Sequence, residues 1–163
     1  MSRKVKKTLA MRVLEGQGIP YEVIEFPSDI HDARGVAEYA RVPVDHVYKT
    51  LVAEADEPGF KPMLVMIAAD RSLDLKKLAK VVGAKKTRMA THADAERMTR
   101  LQTGGISALA LLNRGFSIYI DEPATELDFI VVSAGQRGLN LRLDPAALIR
   151  VTGAEVVDVS ESP

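Results

Sequence analysis

Apolar residues recur at helical spacing from Val5 through Leu9, Val13 and Leu14, and Gly16 and Gly18 end the run, which predicts a first helix. The segment Tyr21 to Phe26 sets Tyr21, Val23 and Glu25 against Glu22, Ile24 and Phe26, the pattern of a strand with contacts on both faces. Pro27 to Asp32 leads into a short helix over Ala33 to Arg41, closed by Pro43. The strongest strand signal is the pair Val47 to Ala53 and Met63 to Ala69, which flank the turn-rich Glu57-Pro58-Gly59-Phe60-Lys61-Pro62 and predict a hairpin. Leu75, Leu78, Ala79 and Val82 mark the buried stripe of a helix opened by Ser72 or Asp74 and ended by Gly83. Another short helix, His92 to Leu101, precedes Thr103-Gly104-Gly105-Ile106-Ser107.

Ser117 to Ile120 and Phe129 to Ser133 read as strands, and the second passes through Ala134-Gly135-Gln136-Arg137-Gly138 into Leu139 to Leu143 as a second hairpin. A helix from Pro145 to Thr152, stopped by Gly153, and a strand from Glu155 to Val159 close the chain. This order predicts an α/β fold, one domain over residues 1–163, with a central mixed and mostly antiparallel sheet surrounded by helices. Its hairpins argue against a doubly wound nucleotide-binding sheet.

Composition narrows the function classes. Hydrophobic residues make up 47% of the 163, enough apolar surface for one core. No run reaches the roughly 18 to 20 apolar residues that cross a bilayer. The basic start (Arg3, Lys4, Lys6, Lys7) is followed by an apolar stretch broken at Arg12, so neither a secretory signal nor a membrane partner is expected, and cytoplasm is the default. The absence of cysteine removes disulfides, thiolate metal sites and a Cys nucleophile together. Twenty-two basic and 22 acidic residues cancel, so a nucleic acid must be held by a local patch or by one end.

Common catalytic signatures fail on spacing. Ser107 lies in Gly105-Ile106-Ser107-Ala108-Leu109 and lacks the second glycine of a nucleophile elbow. The phosphate-binding P-loop and the dinucleotide fingerprint are absent, and His31, His46 and His92 form no pair at metal-ligand spacing. What stands out is Lys49, which shares strand parity with Val47, Leu51 and Ala53. Its ammonium either snorkels to solvent from an edge strand or waits for a phosphate or carbonyl oxygen, and parity leaves both open.

Two glycine-bearing loops, Gly104 to Ser107 and Ser133 to Gly138, offer backbone groups at close range to a ligand, or simply reverse the chain. Gly135 to Gly138 also spells the Gly-x-x-Gly of a KH loop, but its flanks read as strands where a KH loop joins helices. The run Lys76, Lys77, Lys80, Lys85, Lys86 and Arg88 is a phosphate-contacting edge or a solvated helix face. Asp121 and Glu122 before Pro123 pair with a lysine or cap a turn.

Taken in order, Val47-Tyr48-Lys49-Thr50-Leu51, Leu73-Asp74-Leu75-Lys76-Lys77, Gly104-Gly105-Ile106-Ser107 and Ser133-Ala134-Gly135-Gln136-Arg137-Gly138-Leu139 resemble the YbaK/EbsC-type family over almost the whole chain. That family belongs to the superfamily of the editing domain of bacterial prolyl-tRNA synthetase, whose freestanding members deacylate mischarged tRNA. The resemblance implies a YbaK-like α/β fold and a hydrolase acting in trans on aminoacyl-tRNA, with tRNA for proline carrying cysteine, alanine or another small amino acid as the expected substrate. Prolyl-tRNA synthetase is an implied partner, and no metal or organic cofactor is implied.

By the same resemblance, Lys49 and Gly105 carry the reaction. Phe26, Thr50, Gly104, Ile106, Ser107, Ser133, Gly135, Arg137, Gly138 and Asn140 surround the terminal adenosine and the acyl group. Members that clear cysteine usually carry tyrosine where Phe26 stands and aspartate where Asn140 stands, and the usual Gly-Ile-Ser-Pro ends here in Ala108. An aminoacyl ester is already activated, so a cation and backbone dipoles that orient water and stabilise the oxyanion meet the chemical need without a side-chain nucleophile. The competing classes are a binding module that captures a tRNA end or a synthetase without turnover, and a hydrolase of small metabolic esters.

Overall fold

The computed structural model describes residues 6–162. Helix α1 (Leu9–Gly16) begins where the Thr8 hydroxyl accepts the Met11 N–H, and it buries Ala10, Met11 and Leu14. The Val5 start expected for this helix lies outside the described residues. Strand β1 (Glu22–Glu25) follows, then α2 (Ala33–Ala40), whose N-terminus is capped by the Asp32 carboxylate accepting from Gly35 N–H.

Strands β2 (Tyr48–Ala55) and β3 (Met63–Ala68) form the expected hairpin, with Lys49 opposite Ile67. After the two-residue β4 (Ser72–Leu73), Asp74 rather than Ser72 opens α3 (Leu75–Val82), accepting from the N–H groups of Lys76 and Lys77, and Gly83 ends it in the left-handed region at φ 79°. Next come β5 (Thr87–Met89), α4 (His92–Thr99), β6 (Ser117–Asp121), β7 (Ile130–Gln136), β8 (Leu139–Leu143), α5 (Pro145–Thr152), β9 (Glu155–Val157) and β10 (Ser160–Glu161).

Five strands form a mixed sheet in the order β5-β2-β3-β6-β9, in which β3 pairs with β6 and β6 with β9 in parallel. The β7–β8 hairpin and β1 make a separate antiparallel sheet in the order β1-β8-β7, joined to the first by a parallel bridge from Val47 to Val131. The sheet content is thus mixed and mostly antiparallel, as expected, but divided. One face of the five-stranded sheet, with Tyr48, Val52, Leu64 and Met66, packs toward α1, the β7–β8 hairpin and α5 in the largest core cluster. The other face, with Ala53, Val65 and Ile67, packs under Leu78 of α3. A third cluster of Phe26, Val36, Ala37, Val47, Ala69 and Val131 holds α2 against the junction of the two sheets.

Three features differ from the sequence reading. The segment Ala134 to Gln136 is strand rather than link, because a register shift between Ser133 and Gln136, with Gly135 at φ 95°, lets β7 continue past its irregularity. The residues Thr87–Met89 are an edge strand, anchored where the Thr87 hydroxyl donates to the Leu75 carbonyl. Asp121 neither pairs with a lysine nor caps a turn; only 1% exposed, it accepts from Val159 N–H and the Ser160 hydroxyl and pins the chain end to β6.

Candidate active site

The start of β2 lies at the edge where the two sheets meet, and a cleft opens there. Its walls are Val47 just before β2, Tyr48, Lys49, Thr50 and Leu51 of β2, His31, Asp32, Ala33 and Val36 at the entry to α2, Thr103, Gly104 and Ile106 of the glycine loop, and Ser133 and Asn140. The volume is about 240 Å³. That lies below the range of roughly 300–1,000 Å³ for sites that engulf a drug-sized ligand, so a larger ligand rests partly outside.

Lys49 is half-buried on β2, and Leu51, two positions along the same face, reaches into the cluster beneath α3. Its Nζ donates to the Ala69 carbonyl at 3.5 Å, a long bond, and no carboxylate forms an ion pair with it among the described residues. Burial lowers its pKa from the ordinary lysine value and the Arg34 guanidinium lowers it further, while Asp70 opposes them. The result is a cation held at the cleft wall with its charge largely uncompensated.

The facing loop is fixed by its backbone. Thr103 N–H donates to the Glu96 carboxylate at 2.7 Å, and the Thr103 carbonyl accepts from Arg137 Nε at 2.6 Å. That bond from Thr103 holds the Glu96 carboxyl below the usual carboxylate range. Gly104 sits at φ 91°, and a Cβ on it would meet the His31 carbonyl at 2.9 Å. A Cβ on Gly105 would meet Arg137 N at 2.9 Å and the Gln136 carbonyl carbon at 3.1 Å. The two glycines therefore let this loop slot between the approach to α2 and the β7–β8 turn.

Of the site residues expected from sequence, Lys49, Thr50, Gly104, Ile106, Ser133 and Asn140 meet around the cleft, with Ser133 and Asn140 paired across β7 and β8. Gly105 stands behind Gly104, and its N–H is bonded to the Gln102 carbonyl at 2.8 Å. Arg137 acts on the cleft through Thr103. Gly138 accepts the Phe26 N–H at 3.0 Å, and Phe26 itself lies in the third core cluster, behind Val36 and Val47. Ser107 is buried with its hydroxyl unpartnered, and the nearest neighbour of a Cβ on Gly135 would be Ala110.

Sequence reasoning missed Thr103, His31, Asp32, Ala33 and Val36. Asp32 was recognisable as a helix cap, but its place on the same cleft wall as Lys49 is a tertiary outcome. The basic run does not line the cleft: Lys77 pairs with Asp158 at 3.2 Å, and Arg88 pairs with Glu54 and Asp56. Among the described residues, no group of three or more His, Cys, Asp or Glu is placed to hold a metal, and no helix is long and apolar enough to cross a membrane.

Comparison with known proteins identifies the family of the chain. The family model for the aminoacyl-tRNA editing domain matches residues 27–151. A protein of Enterococcus faecalis, EbsC, named as a candidate Cys-tRNA(Pro)/Cys-tRNA(Cys) deacylase, is 36% identical over 157 residues, covering 95% of this chain and 94% of its own length. A proline–tRNA ligase of a Sulfurihydrogenibium species is 33% identical over 118 residues, 72% of this chain but 20% of the ligase. A solved structure described as a candidate trans-editing enzyme for prolyl tRNA synthetase superposes with a TM-score of 0.80 at 27% identity, over 97% of this chain and 100% of that one. A hypothetical protein superposes with a TM-score of 0.85 at 21% identity over 94% of this chain and 99% of that one, a likeness of fold alone. From the match over residues 27–151 and the near full-length identity to EbsC, the chain belongs to the aminoacyl-tRNA editing domain family.

Proposed function

We propose that this protein is a trans-editing hydrolase, which removes a small amino acid from mischarged tRNA for proline by cleaving the ester to the terminal ribose. The observation that carries the reading is Lys49, a half-buried cation without a carboxylate partner, set in a small cleft opposite a backbone-rich loop. The acyl group enters the cleft and the terminal adenosine rests at its mouth, consistent with a volume too small for both.

In the reaction, water attacks the ester carbonyl carbon, the bond from that carbon to the ribose oxygen breaks, and the ribose oxygen takes a proton. Free amino acid and uncharged tRNA result. Lys49 anchors the aminoacyl end and polarises the ester, an interaction that strengthens as negative charge grows on oxygen. It does not attack. The buried Ser107 hydroxyl, which lies off the cleft wall without a base beside it, is not a nucleophile in this scheme. The cytoplasm is the compartment of this activity, and prolyl-tRNA synthetase, which generates the substrate, is the partner enzyme.

The test is to incubate the protein with tRNA for proline charged separately with proline, alanine, cysteine and serine, and with small aminoacyl esters lacking tRNA. Selective loss of the wrong amino acids supports the reading. No ester loss above background leaves a binding module, and equal turnover of small esters indicates a metabolic esterase.

A further inference from the structure

A second cavity, of about 360 Å³, shares no lining residue with the cleft. It is bounded by Thr8 and Leu9 at the start of α1, Thr99, Arg100 and Leu101 at the end of α4, the short helical turn Ala108–Leu111 with Arg114 beyond it, and Ala134 and Gly135 of β7. Its charged lining residues are Arg100 and Arg114, and among the described residues no carboxylate lines it. Both arginines are exposed, and neither forms an ion pair among the described residues. The first turn of α1 carries no acidic side chain, so the partial positive charge of that helix start adds to theirs. Such a cavity suits an anion.

Its position relative to the cleft defines which anion. Ser133 lines the cleft, and Ala134 and Gly135, next along β7, line the cavity. Thr99 to Leu101 line the cavity while Thr103 and Gly104 line the cleft, so the Cα atoms of Arg100 and Gly104 are at most about 14 Å apart. The Thr103 backbone in this segment is clamped between the Glu96 carboxylate and the Arg137 guanidinium. Lys49 in the cleft, Arg137 bonded to this segment, and Arg100 and Arg114 in the cavity form one cationic tract on a chain of zero net charge. The cleft takes the acyl group, so the strand behind the terminal adenosine must cross the surface nearby. Guanidinium forks match phosphate oxygens, and the exposed Leu9 gives apolar surface to a ribose or base.

We infer that this second cavity is the groove that holds the phosphate backbone of the tRNA acceptor end, with Arg100 and Arg114 as its phosphate-binding residues. The inference rests on the deacylase reading for the identity of the strand and adds the surface that recruits it. Phosphate contacts supply affinity and register without reading bases, so the groove positions the strand and leaves amino-acid selection to the cleft.

The experiment measures the Kd for uncharged tRNA for proline over a range of salt concentrations, and kcat/KM for the same tRNA mischarged. It compares the wild-type protein with the double variant Arg100→Gln, Arg114→Gln and with the control Lys76→Gln, Lys80→Gln, which removes equal charge from exposed positions of α3 outside both openings. Each phosphate contact to a single strand contributes about 0.7 to the slope of log affinity against log salt, so the arginine variant should lose about 1.4 of it. Its Kd and its kcat/KM should worsen together by roughly tenfold. Arg100→Lys, Arg114→Lys, which keeps the charge, should keep the slope, and the control should match wild type throughout. A wild-type slope in the glutamine variant, or an equal loss of slope in the lysine variant or the control, overturns the inference alone. The expected slopes in a protein that cleaves no charged tRNA support the groove as a tRNA site and overturn the deacylase reading.

Discussion

Substituting Gly105→Ala tests whether this residue serves through the absence of its side chain. The new Cβ would sit 2.9 Å from Arg137 N, 3.1 Å from the Gln136 carbonyl carbon and 3.2 Å from Gln136 Cα. All three are backbone atoms, so no rotamer change relieves the contact, and the loop or the β7–β8 turn must move by several tenths of an ångström. Overpacking at a buried position costs about 1–3 kcal/mol. For a chain of this size that lowers Tm by about 2–4 °C per kcal/mol.

Function should suffer as well, because the displaced turn carries Arg137, which holds the Thr103 carbonyl on the cleft wall. The control is Gly16→Ala at the end of α1, where an added Cβ meets nothing within 4 Å; there we expect neutrality or a gain of up to about 1 kcal/mol. Urea midpoints and deacylation rates on both variants decide the matter. Gly105→Ala with wild-type stability and wild-type rates would refute the steric account.

Replacing Lys49→Met should leave the fold intact and cut deacylation by roughly 10²- to 10³-fold, as removal of an oxyanion-stabilising group does; a folded variant with wild-type kcat/KM would remove Lys49 from the mechanism. Because burial and Arg34 lower the Lys49 pKa in the folded state, the charge opposes folding at neutral pH. That penalty fades as pH rises from the lowered value toward the ordinary lysine value, so any stability advantage of Lys49→Met should shrink over the same interval; an advantage that grows there would contradict the sign. Asn140→Asp places a carboxylate on the cleft wall and should change amino-acid preference, whereas Phe26→Tyr adds a hydroxyl to an apolar cluster and should act mainly on stability, by about 1 kcal/mol. Unchanged preference in Asn140→Asp, measured across the charged tRNA panel, would count against that assignment. Glu96→Gln weakens one side of the Thr103 clamp and should raise KM more than it lowers kcat; an unchanged KM would show that the clamp is dispensable.

Much of this molecule is legible in one dimension because the physics involved is local. The 3.6 and 2.0 periodicities, the Asp74 and Gly83 ends of α3, and the β2–β3 hairpin depend on residues within a few positions of one another. The parity argument likewise put Lys49 on a largely apolar face without knowing what faced it. Partner choice is different. Pairing β3 with β6 in parallel joins segments separated by α3, β5 and α4, and no local pattern encodes it. The cleft is assembled in the same way from β2, the entry to α2, the 103–106 loop and the β7–β8 hairpin, segments that meet only after the sheets have formed. Hence the four motifs pointed to a family and to Lys49, while the place of Thr103 on the cleft wall, the burial of Phe26 in the third core cluster and the close approach of Gly105 to the β7–β8 turn were decided by tertiary structure.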